Sequence, residues 1–145
     1  MKNDELFYYL ALQSIAGIGP IKAKKLLNHF GGAKQLFQAK RNDINQIKSI
    51  GLNFLEQINN KAIFTKAEKE MRFVETNKIS AFTYFHKDYP EKLRHCPDAP
   101  LVLFSKGNFD INKKKIISIV GTRMMTPYGR QFLREFIKDI KKFDP

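Results

Sequence analysis

A short turn near the end of this 145-residue chain carries residue types that bind phosphate. Residues 116–120 are β-branched and apolar apart from one serine, which predicts a strand covered on both faces. Gly121, Thr122 and Arg123 follow, and a glycine is expected where the backbone turns or approaches a ligand closely. Thr126, followed by a proline, is typical of a helix start, with the hydroxyl as N-cap and proline at the first helical position.

A buried strand, a glycine turn and an amphipathic helix form the opening unit of a doubly wound α/β domain. Such a unit places loop amides and a helix N-terminus at the carboxyl end of the strand, where they favour an anion. Arg123 can hold a phosphate there through two hydrogen bonds. The motif G-x-G-x-x-G is absent, so we expect no nicotinamide or flavin cofactor. A structural crossover with its arginine in water stays open as the alternative.

A second candidate phosphate site lies near the N-terminus, where Gly17 and Gly19 bracket one isoleucine. Pro20 then opens a predicted helix that Gly31 and Gly32 end. This order of helix, glycine hairpin and basic helix resembles a helix-hairpin-helix element, which binds the DNA backbone without reading sequence.

The chemistry of the hairpin is consistent with that resemblance. Its glycines let the backbone approach a phosphate, and amides of the following helix point at it. Lys22, Lys24 and Lys25 are expected to neutralise neighbouring phosphates. A protein-binding or purely architectural copy of the same motif stays open.

The charge of the chain indicates a polyanionic partner. It carries 26 basic and 14 acidic side chains, a net charge of +12 and a pI near 9.8. Nucleic acid or an anionic surface fits this excess. A membrane-surface role is disfavoured because the basic helices also need their apolar sides for core packing. We expect no signal peptide and no membrane span, since no apolar run approaches the roughly 20 residues required.

Cysteine and histidine usage gives neither a metal site nor a catalytic set. Cys96 is the only cysteine and cannot form an internal disulfide, so a reducing cytoplasm fits best. His29, His86 and His95 have no metal-ligand spacing with it. There is no paired-carboxylate site, and we expect no enzymatic activity and no metal.

Hydrophobic periodicity predicts a helical first half followed by short strands. Helices are predicted over 4–15, over 20–30, around 36–37, from a cap at Asn42 or Asp43, and over 54–75. Residues 47–53 echo the glycine hairpin without its second glycine and are interpreted as a degenerate repeat. A strand from about residue 79 to 85, a helical turn over 91–95 and a strand over 101–104 follow.

Sequence blocks in the second half resemble the DNA-processing protein A family, DprA or Smf. The blocks are Y-P-E-K-L-R at 89–94, P-D-A-P-L-V-L-F-S-K-G at 97–107, and I-V-G-T-R with T-P-Y-G within 119–129. Their order and spacing match, and a helix-hairpin-helix-like domain precedes them, so the resemblance covers essentially the whole chain. It departs where the family usually has Gly-Ser-Arg and where it often has a double proline in place of Ala99-Pro100.

The resemblance implies a protein that binds incoming single-stranded DNA, protects it and helps to load the RecA recombinase during natural transformation. It implies that Arg123 lies in a basic DNA pocket. Family members continue through a complete extended Rossmann domain, so this chain is expected to be an N-terminal fragment or a naturally shortened member. Self-association is expected because the shortened sheet keeps an unpaired edge.

The predicted fold class is therefore α followed by α/β. A helix-hairpin-helix (SAM-like) bundle is expected over residues 1–75, and the beginning of a Rossmann-like DNA-binding domain over residues 76–145. The predicted DNA contacts are Gly121, Thr122, Arg123, Thr126, Gly17, Gly19, Lys22, Lys24 and Lys25. Two other functions stay open: a fragment of a Rossmann-type nucleotide-processing enzyme, and a protein-interaction module without DNA binding.

Overall fold

The computed structural model describes residues 2–47, 52–107, 112 and 116–143. The chain forms two compact units, residues 1–108 and 109–145. The elements of the first unit are α1 (Lys2–Gln13), α2 (Pro20–Phe30), α3 (Ala33–Gln38), α4 (Arg41–Asn45), α5 (Leu52–Gln57), α6 (Lys61–Thr76), β1 (Ser80–Thr83), α7 (Glu91–Arg94) and β2 (Val102–Ser105). The second unit contains α8 (Pro127–Ile140) and a short 3-10 helix (Lys141–Phe143).

The first unit is built around α1, whose residues Tyr9 to Leu12 are buried in succession. A helix buried on all sides needs apolar residues around its whole circumference, and this helix packs against α3, α6 and both strands. Leu26 and Leu27 of α2 and Leu36 of α3 complete the centre of the same core. The hydrophobic core therefore fixes α2, the helix of the glycine hairpin, against α3, which in turn packs on α1.

Local capping chemistry sets the ends of α2 where the sequence predicts them. Pro20 occupies the first turn after Gly19, and Gly31 ends the helix in the left-handed conformation with φ of +77°. Proline there has no amide to leave unsatisfied, and glycine adopts positive φ without steric cost. The predicted bounds of this helix are confirmed.

The predicted helix over 54–75 is wrong at its start, because Asn60 separates α5 from α6. The side chain of Asn60 accepts a hydrogen bond of 2.9 Å from the Ala62 amide and caps the new helix. The predicted cap at Asn42 or Asp43 is also wrong, since α4 begins at Arg41 after Lys40. The degenerate hairpin proposed over 47–53 lies largely outside the described residues.

The strands β1 and β2 pair directly and antiparallel, with Ser80 opposite Ser105 and Thr83 opposite Val102. Leu101 and Val102 are buried in the same core as the helices. The described fold is thus mostly helical with a small two-stranded sheet, compatible with the predicted class. Its helix-hairpin-helix and Rossmann-like details, and a domain boundary at residue 75, stay predictions.

In the second unit, the strand predicted over 116–120 is wrong. These residues have no regular secondary structure, and Val120 is 93% exposed. A strand requires a neighbouring strand for its backbone hydrogen bonds, and residues 116–143 form none. The helix predicted after Thr126 is confirmed as α8.

Stability should fall as the pH rises above 10, because Tyr9 is buried as a phenol. Burial first, and then the Glu5 carboxylate, raises the pKa of Tyr9 above its ordinary value of 10.0, while a hydrogen bond with Thr83 opposes this shift. The unfolded chain loses this proton first, so the stabilisation is complete below pH 10 and declines above it by up to about 1.4 kcal/mol per pH unit. Denaturant unfolding at pH 8 to 11 measures the decline. It should be shallower in Tyr9→Phe, and an equally steep decline in that variant would contradict the assignment.

Candidate nucleic-acid interface

The turn before α8 is organised by its two threonines. The Thr122 hydroxyl donates to the Met124 carbonyl over 2.8 Å, and the Thr126 hydroxyl accepts from the Gly129 amide over 3.1 Å. Arg123 lies between them and is exposed. The predicted cap at Thr126 is therefore present, and the arginine side chain is accessible at the N-terminal end of a 14-residue helix.

Gly121 has open space where a side chain would begin. A Cβ placed there meets no atom of the described chain within 4 Å. Its φ also lies outside the left-handed region, where four other glycines are found. Neither the internal packing nor the backbone conformation of this turn therefore requires a glycine, whereas the close approach of a ligand would.

The glycine hairpin connects α1 to α2, and its start is fixed by a hydrogen bond to α5 and by a buried side chain. Gly17 has φ of +82°, while Gly19 is extended, with φ of −83° and ψ of 170°. The Ala16 amide donates to Gln57 Oε1 over 3.0 Å, and Ile15 beside it is buried. The two glycines are exposed, so the backbone of the hairpin is presented to solvent from a fixed base.

The three lysines of the hairpin helix differ in position. Lys22 and Lys25 are exposed. Lys24 is only 9% exposed, and its Nζ donates to the Pro97 carbonyl over 2.8 Å and to the Cys96 carbonyl over 3.4 Å. Burial lowers the pKa of Lys24, with the Asp98 carboxylate opposing. The structure thus brings Lys22 and Lys25 to the surface and directs Lys24 inward.

Lys24 belongs to a polar network that sequence reasoning missed. Its Nζ lies 4.2 Å from the centre of the Tyr84 ring, which contacts the Tyr89 ring edge-on at 5.4 Å. The Tyr84 hydroxyl donates to the Arg94 carbonyl, and Arg94 Nη2 donates to the His86 carbonyl over 2.7 Å. This network fastens α2 to the segment between the strands. The feature of the sequence that could have indicated this network is the position of Lys24 between Ala23 and Leu27, on the buried side of α2.

Neither a metal centre nor a membrane span is found in the described part of the chain. Within residues 2–47, 52–107, 112 and 116–143, no three His, Cys, Asp or Glu side chains are grouped so that they could hold a metal ion. Among those same residues, no helix has the length and apolar character to cross a bilayer. His95 and Cys96 adjoin the lysine network, and Cys96 is exposed.

Serine substitutions at the two hairpin glycines should differ in their effect on the free energy of unfolding. Gly17→Ser should lower the free energy of unfolding by about 1–2 kcal/mol, because a side chain is strained at φ of +82°. Gly19→Ser should leave stability unchanged or raise it slightly, since an extended residue before Pro20 accepts a serine N-cap. Urea denaturation of both variants measures the difference. Equal losses at the two positions would contradict this geometry.

Part of this chain matches a known protein family, and the chain as a whole is similar to known proteins. Residues 80–145 match the family described as DNA recombination-mediator protein A. Protein Smf of Synechocystis is 27% identical over 150 residues, covering 98% of this chain and 37% of the relative. The DNA processing protein DprA of Bacillus subtilis is 37% identical over 97 residues, covering 66% and 31%. That of Streptococcus pneumoniae is 31% identical over 67 residues, covering 46% and 24%.

Residues 80–145 of this chain match the family's model, and the chain is similar to Smf and DprA proteins. The resemblance drawn from the motifs between residues 89 and 129 is thereby confirmed. The chain spans 37%, 31% and 24% of the lengths of these relatives. No solved structure matches it significantly.

Proposed function

We propose that this chain binds single-stranded DNA through its phosphate backbone and acts in natural transformation. In that role it protects incoming DNA and helps to load RecA, as the family resemblance implies. The observation that carries the proposal is the exposed Arg123 in an ordered turn that leads into a capped helix. A helix N-terminus favours an anion, and a guanidinium adds two directed hydrogen bonds.

The open space at Gly121 supports a phosphate in this turn. No neighbour within the described chain needs that space, and a Cβ would project into it. Thr122 and Thr126 are proposed to hold the turn in shape, because their hydroxyls bind the turn and the helix end. We therefore assign them a positioning role next to Arg123.

The glycine hairpin is proposed as a second phosphate contact. Gly17, Gly19, Lys22 and Lys25 are all exposed around the start of α2, which carries no acidic residue in its first turn. Backbone amides and lysines bind phosphates of any sequence. Lys24 is left out of the contact surface, because its ammonium is bound by backbone carbonyls.

The proposed domain organisation follows the family. Residues 1–75 are the helix-hairpin-helix (SAM-like) part, and residues 76–145 begin the Rossmann-like DNA-binding domain. We propose a binding protein rather than an enzyme, acting without metal or cofactor. The cytoplasm is the proposed location, since a single exposed cysteine suits a reducing compartment.

Measuring the affinity of the chain for oligonucleotides of different base composition tests this function. Fluorescence anisotropy at low salt should give similar affinities for thymidine, adenosine and mixed single strands, because backbone contacts carry no sequence information. A strong preference for one sequence would contradict backbone binding. Near-zero affinity for all of them would favour a protein-interaction module, and a nucleotide that co-purifies with the chain would favour a nucleotide-processing enzyme.

We also propose that the chain self-associates through its second unit. Tyr128 is 79% exposed, Phe132 53% and Ile137 52%, so apolar residues at the edges of the apolar side of α8 stay exposed within residues 116–143, while Leu133, Phe136 and Ile140 between them are half-buried. Apolar area of this kind is stabilised by burial against another copy. Sedimentation velocity should show a concentration-dependent increase in mass, which Phe132→Gln with Ile137→Gln should reduce. A strict monomer at high concentration would contradict this proposal.

A further inference from the structure

The polar side of α8 carries a stripe of three cations, Arg130, Arg134 and Lys138, which we name the basic strip. Each is exposed, and successive members are four residues apart. In an α-helix this spacing places them about 6 Å apart along one side. Arg130 and Arg134 also line an open groove of about 420 Å³ together with Met125, Pro127 and Gln131. The groove lies at the N-terminal end of the helix, close in sequence to Arg123.

This arrangement opposes the rules that stabilise an isolated helix. Like charges four residues apart repel one another. The first turn of α8 holds no acidic residue, and Arg130 lies near the end of the helix where a cation is unfavourable. By contrast, α1 begins with Asp4 and Glu5 in its first turn. Local rules that are broken together at one place indicate a functional site, where a ligand supplies the missing charge.

Carboxylates of the same unit do not neutralise the basic strip. Within residues 116–143, no ion pair joins Arg130, Arg134 or Lys138 to an acidic side chain. Glu135 Oε1 instead accepts a hydrogen bond of 3.1 Å from the side-chain Nε2 of Gln131. The guanidinium groups are therefore available for an anion from outside the unit.

A nucleic-acid backbone fits the basic strip better than a membrane surface does. Helices that lie in a membrane interface extend their cations from the borders of the apolar side toward the headgroups. Arg134 and Phe136 are two residues apart, so they point about 160° away from each other around the helix. Insertion of the apolar side into lipid would therefore turn Arg134 and Lys138 away from the membrane, while Arg130, seven residues before Ile137, lies at the border of the apolar side. A row of evenly spaced cations matches a polymer of regularly spaced phosphates.

We propose that the basic strip binds consecutive phosphates of a single strand that also contacts Arg123. This inference rests on the proposed function and extends the binding site from the turn along the helix. Arg130 and Arg134 hold phosphates at the groove, and Lys138 contacts the backbone further along. The apolar side of α8 remains free to pack against protein while the strand lies on the other side.

The test compares the salt dependence of three double variants in the full 145-residue chain. Each is titrated against a fluorescein-labelled thymidine oligonucleotide at several salt concentrations. Arg130→Gln with Arg134→Gln should bind about tenfold more weakly, with a log–log salt slope shallower by about 1.4, since each lost phosphate contact removes about 0.7. Arg130→Lys with Arg134→Lys should keep most of the slope.

Lys66→Gln with Lys69→Gln is the matched control, because both lysines are exposed on α6 and their loss changes the net charge equally. Its slope should equal that of the wild type. A wild-type slope in the Arg130→Gln, Arg134→Gln variant overturns the basic strip while leaving the proposed function intact, whereas a wild type that does not bind overturns both. If the Arg130→Gln, Arg134→Gln variant loses binding to phosphatidylserine vesicles but keeps wild-type oligonucleotide binding, the proposal that the basic strip binds DNA is overturned in favour of a membrane.

Discussion

Lys24→Met should lower the free energy of unfolding by about 1.5–3 kcal/mol, the range for a hydrogen bond to a charged group. The Lys24 ammonium binds two backbone carbonyls, of Cys96 and Pro97, and also lies over the Tyr84 ring. Methionine keeps the unbranched apolar stem but leaves those carbonyls without their donor. The substitution also removes two hydrogen bonds between residues that lie 72 and 73 positions apart in the sequence. These bonds connect α2 to the segment before β2.

Lys25→Met is the matched control for this prediction. Lys25 neighbours Lys24 in the same helix but is exposed, and exposed substitutions usually change stability by less than about 0.5 kcal/mol. Urea denaturation at pH 7 compares the two variants with the wild type. If Lys24→Met were as stable as Lys25→Met, the hydrogen bonds to the carbonyls would be energetically unimportant and the network would not fasten α2.

Arg123→Ala should weaken single-strand binding by about 1.5–3 kcal/mol while leaving stability nearly unchanged. The side chain is exposed, so its removal leaves no cavity in the fold. It stands beside the capped start of α8, where amides and the helix dipole also favour an anion. The bidentate contact of a guanidinium with phosphate is the largest single contribution that we expect in this turn.

Lys22→Ala should cost less binding energy than Arg123→Ala. Lys22 is exposed on the hairpin helix, and a flexible, hydrated ammonium makes a weaker directed contact than a guanidinium. Both variants are compared by anisotropy under the same salt conditions. If Arg123→Ala binds like the wild type while Lys22→Ala does not, the hairpin is the DNA site and the proposed order of the two contacts is reversed.

Helix ends were predictable from sequence where local chemistry alone determines them. Pro20, with its fixed φ, begins α2, and Gly31, with its left-handed φ, ends it. The Thr126 hydroxyl caps α8. Asn60 carries equally local capping chemistry, but the continuous apolar period across it favoured one long helix. At that position the cap ends one helix and begins the next, although the apolar period continues across it.

The remaining errors concern structure that depends on distant partners. Residues 116–120 have the composition of a buried strand, but a strand requires pairing partners that residues 116–143 do not form. The basic helix predicts Lys24 at the DNA together with Lys22 and Lys25. The actual partners of Lys24, the Cys96 and Pro97 carbonyls, are brought to it only by the tertiary fold. No periodicity in the sequence reports such a contact.

The salt dependence of single-strand binding by the unmodified chain tests the central claim most directly. Affinity for a labelled oligonucleotide is measured across a series of salt concentrations, and its logarithm is plotted against the logarithm of the salt concentration. We expect a straight decline with a slope of about −0.7 for each phosphate contacted. A flat response, or no binding at the lowest salt concentration, would contradict the claim that this chain binds the DNA backbone.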